Sequence, residues 1–367
     1  MHHYSQGRHT KQAHKGIPEG YYEEEQGRGG FFGPVSHLIR KNPSTHWVNI
    51  EGNLKPRLYD LVELPKEDKM QRVVHNREVA IYQMWSHPKQ EAHKAFRNSD
   101  GDTLYFCHQG EGVILTDYGM LEYRRGHYIV IRKCMTHTIV PTMASQFFVI
   151  EAREGYFSEP DRGMVGRHAV YDIANIAKPD LDAQQAYFEK NKQPIIDVSV
   201  KRQDQLTKFQ YSGHIYDVLG WKGDLFPFTL HIDDMMPLMS HRAHLPPSAH
   251  TTFVAHGFVV CTFLPRPLES DSDALKVPFY HQNMDYDEVL FYHDGDFFSR
   301  DNLHAGMMTL HPAGFPHGPH PKAMEKIKTK THTEEYAVMV DTRFPLTVDP
   351  ILDSVEVKNY WQSWMKK

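Results

Sequence analysis

Two polar motifs, His281-Gln-Asn-Met-Asp-Tyr-Asp-Glu288 and Pro312-Ala-Gly-Phe-Pro-His317, enclose a predicted pair of β-strands. The strands are indicated by two apolar runs, Glu288-Val-Leu-Phe-Tyr292 and Met307-Met-Thr-Leu310, with Gly295 between them. Short apolar runs that are separated by glycine or charged turns are typical of β-sandwiches and β-barrels. The motifs therefore place histidine and carboxylate side chains at the ends of strands.

Runs of the same kind occur in two series, one between Thr103 and Glu151 and the other between Thr252 and Val340. Between them, residues 180–192 are rich in helix-forming residues, with Asp180 available as a cap and Pro194 as a stop. We therefore predict a mainly β chain with two similar barrel modules and a connecting helix.

This pattern predicts four segments. They are an irregular N-terminal arm with edge strands (1–99), a first barrel (100–178), a connecting helix and linker (179–240), and a second barrel with a C-terminal helix (241–367). The arm mixes glycine, proline and charge without a long periodic segment, as in Gly27-Arg-Gly-Gly-Phe-Phe-Gly-Pro34.

Composition narrows the class of protein. The 367 residues carry a net charge of -5 and no long lysine or arginine run, so neither nucleic acid nor anionic lipid is an expected partner. The three cysteines, Cys107, Cys134 and Cys261, lack the spacing of a disulfide framework or a zinc site. The first residues lack the apolar core of a signal peptide, and no run is long enough for a membrane span. We expect a cytoplasmic protein that binds a small molecule.

The spacing of His281, Glu288 and Gly295, followed by Pro-x-Gly-x-x-His317, resembles the two metal motifs of the cupin superfamily. Asn283 stands where many cupins have a second histidine. Two imidazoles and one carboxylate suit a non-haem iron(II) site with open positions for substrate and dioxygen. Such a metal can share electrons with triplet dioxygen and a singlet aromatic, which favours Fe(II) over zinc.

Two alternatives accompany this metal site. The histidines and acids could be exposed residues at strand ends, but two motifs with matched spacing would then have to arise together. Asp287 could replace Glu288 as the carboxylate ligand, although Glu288 alone keeps the cupin distance to Gly295.

The first barrel lacks the corresponding groups. Thr103 occupies the expected glutamate position, and the second motif survives only as His137. We predict that this barrel is degenerate and holds no metal, and that His137 is packed or hydrogen-bonded.

Further segments resemble the homogentisate 1,2-dioxygenase family from about Asp100 onward. The matching segments, in family order, are Tyr216-Asp-Val-Leu-Gly-Trp-Lys-Gly223, Pro278-Phe-Tyr-His-Gln-Asn283, Leu303-His-Ala-Gly-Met-Met-Thr-Leu-His311, Pro316-His-Gly-Pro319 and Asn359-Tyr-Trp-Gln-Ser-Trp364. The resemblance implies a double-cupin fold and metal ligands at His281, Glu288 and His317.

The resemblance also implies an acid/base histidine at His244 and a histidine near the substrate at His311, which could instead cap a strand. An imidazole suits proton transfer near neutral pH. His241 and His250 are neighbours that could be confused with His244.

The expected substrate pocket departs from the family pattern. Phe279 and Phe297 stand where the family has tyrosines, and Arg300 stands where it has a lysine. Arg300 could still bind a substrate carboxylate through a bidentate contact. Losing two hydroxyl groups from such a pocket can shift specificity strongly.

The resemblance implies an Fe(II) dioxygenase that inserts both atoms of O2 into a hydroquinone-type acid. Homogentisate would give maleylacetoacetate, a step of tyrosine and phenylalanine catabolism, and the family suggests a homo-oligomer, a trimer or hexamer. The rivals are a ring-cleaving cupin for gentisate or hydroquinone, a metal-dependent cupin isomerase, and a non-enzymatic cupin that binds or stores a ligand.

Overall fold

β-Strands dominate the computed structural model, which describes residues 4–88, 94–276, 279–297, 303–320, 323, 327 and 329–365. The strands are β1 (Tyr22–Gly27), β2 (Val35–Arg40), β3 (Arg57–Asp60), β4 (Gln71–His75), β5 (Val79–Ser86), β6 (Ala95–Asn98), β7 (Asp102–Gln109), β8 (Glu111–Thr116), β9 (Gly119–Arg124), β10 (His127–Ile131), β11 (Thr136–Pro141), β12 (Ser145–Ala152), β13 (Asp197–Arg202), β14 (Gln205–Gln210), β15 (Phe228–His231), β16 (Thr251–Ala255), β17 (Phe258–Phe263), β18 (Arg266–Pro267), β19 (Tyr280–Asn283), β20 (Asp287–Asp296), β21 (Met307–His311), β22 (His332–Thr342) and β23 (Thr347–Val348).

Helices are few. The described residues contain the α-helix α1 (Leu181–Lys190) and short 3-10 helices at Leu61–Glu63, Gly163–Val165, Ile173–Asn175, Ile232–Asp234, Pro247–His250, Pro350–Ser354 and Tyr360–Trp364. None of the helices in the described residues is long and apolar enough to cross a membrane.

The first module is a sandwich of two sheets. Their strand orders are β15-β10-β7-β12-β5-β4-β23 and β14-β13-β6-β11-β8-β9. Tyr105 and Phe147 from the first sheet and Leu121 from the second belong to one buried apolar cluster. Because successive side chains on a strand point to opposite faces, this cluster uses only one face of the first sheet.

The second module is built on a sheet with the order β16-β17-β22-β20-β21-β3, to which β18 adds by pairing with β22. A separate three-stranded sheet has the order β19-β1-β2. Leu290 and Tyr292 of β20 form a buried cluster with Met339 and Trp364, so the C-terminal 3-10 helix belongs to the core of this module.

The two modules share their largest apolar core. Phe148 of β12 stacks on Phe291 of β20 with ring centroids 4.5 Å apart, and the Tyr128 hydroxyl lies 2.8 Å from that of Thr262. All eight residues of β12 are buried, and the run Phe147–Ile150 in its middle is wholly apolar, as expected for a strand that is covered on both faces. The modules therefore form one continuous body.

This architecture confirms the predicted mainly β, double-cupin fold. The connecting helix is also confirmed: Asp180 caps α1 by accepting the N–H of Ala183 at 2.9 Å. The expected C-terminal helix is a 3-10 helix of five residues.

The first hundred residues were expected to form an irregular arm with edge strands, but they supply six strands to the sheets of the two modules. Residues 71–98 supply β4, β5 and β6, and β5 lies inside a sheet between β12 and β4. Strands β1, β2 and β3 join the sheets of the second module. The pairings of β1 with β19 and of β3 with β21 join strands that lie far apart along the chain, so local periodicity gives little indication of them.

Replacing Phe291 with alanine should lower the free energy of unfolding by about 3–5 kcal/mol, because the ring is fully buried between the modules. Phe209→Ala is the matched control, since that ring is 46% exposed and should cost much less. Urea denaturation of the three proteins measures both values. Equal losses for the two variants would contradict the shared core.

Candidate metal centre

His281 and His317 are held together by their own backbones. The N–H of each residue donates to the carbonyl of the other, and both hydrogen bonds are 2.9 Å long. His281 lies on β19 and His317 in the loop that follows β21. This pairing brings the two imidazole rings to a centroid distance of 4.1 Å.

Hydrogen bonds to carbonyl groups orient both rings. Nδ1 of His281 lies 3.0 Å from the carbonyl oxygen of Phe279, and Nδ1 of His317 lies 3.1 Å from that of Phe315. A carbonyl oxygen only accepts, so Nδ1 carries the proton and Nε2 of the neutral ring keeps its lone pair. Within the described residues, Nε2 of His317 is buried without a hydrogen bond. This arrangement prepares a histidine to bind a metal.

Glu288 supplies the negative charge. It lies on β20 between His311 of β21 and Asp341 of β22, both in register with it. One carboxylate oxygen, Oε1, lies 2.7 Å from His311 Nδ1 and 3.6 Å from His317 Nε2. Burial raises the pKa of the Glu288 carboxyl, but His317 and His311 outweigh burial and hold that pKa well below its ordinary value. Glu288 is therefore ionised.

The three groups fit a divalent cation. One ligand atom from each of His281, Glu288 and His317 can be chosen so that all lie within 4.8 Å of one another. Two nitrogen donors and one carboxylate oxygen suit a borderline transition metal, and three ligands leave coordination positions open. The predicted ligand residues are thus brought together.

Asp287, the alternative carboxylate, makes other contacts. Its Oδ1 accepts the N–H of Ala313 and its Oδ2 accepts the N–H of Leu346, both at 2.7 Å. Burial raises the pKa of Asp287, and these two hydrogen bonds oppose that rise. Asp287 therefore ties two loops to β20, whereas Glu288 lies beside the imidazoles.

The two histidines expected to be catalytic occupy different positions. His311 donates to Glu288 and stacks on His317 at 4.5 Å, so it orients the carboxylate. His244 packs against Phe279 at 4.7 Å, and its Nδ1 lies 3.4 Å from Glu269 Oε1. Burial lowers the pKa of His244 well below its ordinary value, with smaller contributions from Arg266 and His14.

Of the residues expected to contact the substrate, Phe279 lies beside the metal ligands and Phe297 does not. Phe279 is buried beside the site and contacts both His244 and His281, at 4.7 and 5.2 Å. Phe297 packs against Tyr292 at 5.0 Å within the apolar core of the second module, away from the Glu288 end of β20. Arg300 lies outside the described residues.

The N-terminal segment also reaches the site, which the local sequence pattern does not predict. Strand β1 runs parallel to β19 with Glu25 in register with His281, and the Phe31 ring lies 5.7 Å from the His281 ring. The acidic run Glu23-Glu24-Glu25 is the feature of the sequence that could have indicated this contribution. All three glutamates are buried in β1, and acidic side chains are seldom buried without partners.

The corresponding groups of the first module form other bonds. His137 shares a hydrogen bond of 2.8 Å with the Tyr105 hydroxyl, and burial lowers the pKa of His137 to about 4. Thr103 accepts a hydrogen bond of 3.0 Å from the Asn98 side chain. His137 and Thr103 are thus both engaged in hydrogen bonds inside the first module.

Comparison with known proteins places this geometry in context. A family model described as the N-terminal part of homogentisate 1,2-dioxygenase matches residues 67–232. A Saccharolobus solfataricus protein named as a "putative dioxygenase" is 32% identical over 271 residues, which are 73% of this chain and 70% of that protein.

Two relatives are named homogentisate 1,2-dioxygenase. The Drosophila melanogaster protein is 27% identical over 240 residues, covering 63% of this chain and 53% of the relative. The human protein is 25% identical over 255 residues, covering 66% of this chain and 56% of the relative. The aligned part of the chain thus spans little more than half the length of these two relatives.

Replacing Glu288 with glutamine should remove one equivalent of tightly bound divalent metal per chain, because the neutral amide cannot offset the charge of the cation. Asp287→Asn is the matched control, and it should keep the metal although it weakens the loop contacts. Elemental analysis after reconstitution with Co(II) measures both. A loss in Asp287→Asn alone would assign the carboxylate ligand to Asp287.

Proposed function

Because the chain belongs to the homogentisate 1,2-dioxygenase family, of which it is a divergent member, we propose that it is an Fe(II)-dependent ring-cleaving dioxygenase. The observation that carries this proposal is the buried set of His281, Glu288 and His317, whose ligand atoms lie within 4.8 Å of one another. Its nitrogen and oxygen donors suit Fe(II) and leave room for two reactants.

When bound, Fe(II) supplies an electron route between triplet dioxygen and an aromatic substrate, which protein side chains lack. The protein's own groups prepare the site. Carbonyl oxygens fix the ring orientations of His281 and His317. His311 holds the Glu288 carboxylate through its Nδ1–H, so the charge that meets the cation stays in place.

His244 is the proposed base for the phenolic proton of the substrate. Burial keeps its imidazole neutral near pH 7, which is the form that accepts a proton. With Nδ1 directed at Glu269, Nε2 is the atom available for that proton. The Phe279 ring contacts both His244 and His281, so a substrate over Phe279 would reach the base and the metal ligands together.

Homogentisate is the first substrate to test, with both atoms of O2 inserted to give maleylacetoacetate. A second candidate is a dihydroxy aromatic of the gentisate or hydroquinone type. Phe279 favours this alternative because a ring without a hydroxyl lies where the family's polar contact is expected. Arg300 is the proposed contact for a substrate carboxylate in either case.

Family membership further supports a cytoplasmic homo-oligomer, a trimer or hexamer, that acts in aromatic amino-acid catabolism. Light scattering of the purified protein tests the assembly. A monomer at micromolar concentration would refute it.

Anaerobic reconstitution with Fe(II), followed by an oxygen electrode and a panel of homogentisate, gentisate and hydroquinone, tests the activity. We expect equimolar consumption of O2 and one of these substrates, with a ring-opened product by mass spectrometry. Glu288→Gln should consume no oxygen. Lack of uptake by the iron-loaded wild type with every substrate would leave the isomerase and binding-protein rivals.

Replacing His244 with glutamine should lower kcat by about 100- to 10,000-fold, the usual contribution of a general base. His241→Gln is the matched control because His241 is exposed, and it should change kcat little. Steady-state kinetics with the best substrate measures both. An equal effect of the two substitutions would remove His244 from the mechanism.

A further inference from the structure

A second group of metal-binding residue types lies in the N-terminal segment. It consists of His14, Glu23, Glu25 and His37, which we call the arm cluster. Glu23 and Glu25 lie two residues apart on β1, so they share one face of that strand. His37 of β2 is in register with Glu25, and His14 packs against the cluster from the preceding loop. His14, Glu23 and Glu25 are 4%, 2% and 6% exposed.

The Nε2 atoms of both histidines lie near the Glu25 carboxylate. His14 Nε2 is 3.5 Å from Glu25 Oε2, and His37 Nε2 is 3.9 Å from Glu25 Oε1. Ligands of a tetrahedral ion with bonds of about 2.1 Å lie about 3.4 Å apart. These separations are too long for good hydrogen bonds but suit atoms that surround an ion.

Glu23 contacts the opposite side of both rings. Its Oε1 lies 2.9 Å from His37 Nδ1, and its Oε2 lies 3.5 Å from His14 Nδ1. The backbone N–H of His14 also donates to Glu23, at 2.9 Å to Oε2. Glu23 therefore lies on the Nδ1 side of both rings, where a metal-binding histidine usually has its outer carboxylate partner, although neither Nδ1 donates to it in hydrogen-bond geometry.

The charge of the arm cluster requires compensation. Two carboxylates are buried side by side, and Oε2 of Glu25 has no hydrogen bond among the described residues. An unpaired buried charge is costly. One divalent cation would balance both carboxylates while the imidazoles stay neutral, whereas without it the charge must be balanced by protons on the imidazoles or on the carboxyl groups.

We propose that the arm cluster binds a second divalent transition-metal ion, with His14, Glu25 and His37 as ligands and Glu23 as the residue that orients the two imidazoles. The donor set selects ions of the Zn(II), Mn(II) or Fe(II) class. The ring of Phe279 separates this site from the first one, since it contacts His14 at 4.4 Å and His281 at 5.2 Å. The ion would fasten the loop that carries His14 to the sheet that carries Glu25, His37 and His281.

A third group, Glu78, Glu154 and His256, has two largely exposed members. Exposed acids often cluster without a metal, so this group supports no site. It can nevertheless bind zinc weakly, and the test must remove such zinc.

Metal-free whole protein is loaded with Zn(II), passed through a weak chelator, and measured by elemental analysis. We expect two equivalents per chain in the wild type, one in Glu25→Gln, one in Glu288→Gln, and none in the double variant. Glu24→Gln is the matched control, because Glu24 points to the other face of β1 and pairs with Arg40. It should keep two equivalents.

The proposal fails if the wild type binds one equivalent that Glu288→Gln removes, or if Glu25→Gln keeps two. Anomalous diffraction from zinc-loaded wild-type crystals decides the matter even if a variant does not fold. A peak among His14, Glu25 and His37 supports the site, and a peak only at His281, Glu288 and His317 overturns it. Because zinc binding is measured without turnover, failure here leaves the proposed dioxygenase activity untouched.

Discussion

The reciprocal backbone pairing of His281 and His317 is the constraint on which the candidate metal centre depends. It joins a strand of the three-stranded sheet to the loop after β21, so two separate parts of the second module meet at one point. Each imidazole is then oriented by a carbonyl of its own segment, Phe279 for His281 and Phe315 for His317. Orientation by rigid backbone groups requires no ordering of side chains when a ligand binds.

The rest of the fold holds the carboxylate against that pair. Alternate residues of β20 point in opposite directions, so Glu288, Leu290 and Tyr292 share one face while Val289 and Phe291 share the other. The second face packs on the first module through the Phe148–Phe291 stack. The first module thus packs against the face of β20 that is opposite Glu288. In the first module itself, the positions that correspond to the metal ligands are held by His137 and Thr103, which form hydrogen bonds in its interior.

Local sequence patterns predicted much of this structure because they depend on neighbours along the chain. Such local features are the apolar runs of the strands, the Asp180 cap of α1 and the spacing of the two metal motifs, each of which lies within a short segment. The pairing of β1 with β19 could not be predicted in this way, because it joins residues that lie far apart along the chain. The contact by which His311 orients Glu288 could not be predicted either, because it depends on the register of β20 and β21.

In the proposed function, His281, Glu288 and His317 hold Fe(II) with positions open for a diatomic reactant. Electron paramagnetic resonance of the Fe(II)-loaded protein under nitric oxide tests this arrangement, because nitric oxide is a stable substitute for dioxygen at ferrous iron. We expect a high-spin ferrous–nitrosyl signal with a component that changes on addition of substrate, and this substrate-sensitive component should persist in Glu25→Gln and be lost in Glu288→Gln. A substrate-sensitive signal that Glu288→Gln leaves unchanged would show that these residues do not hold the reactive iron.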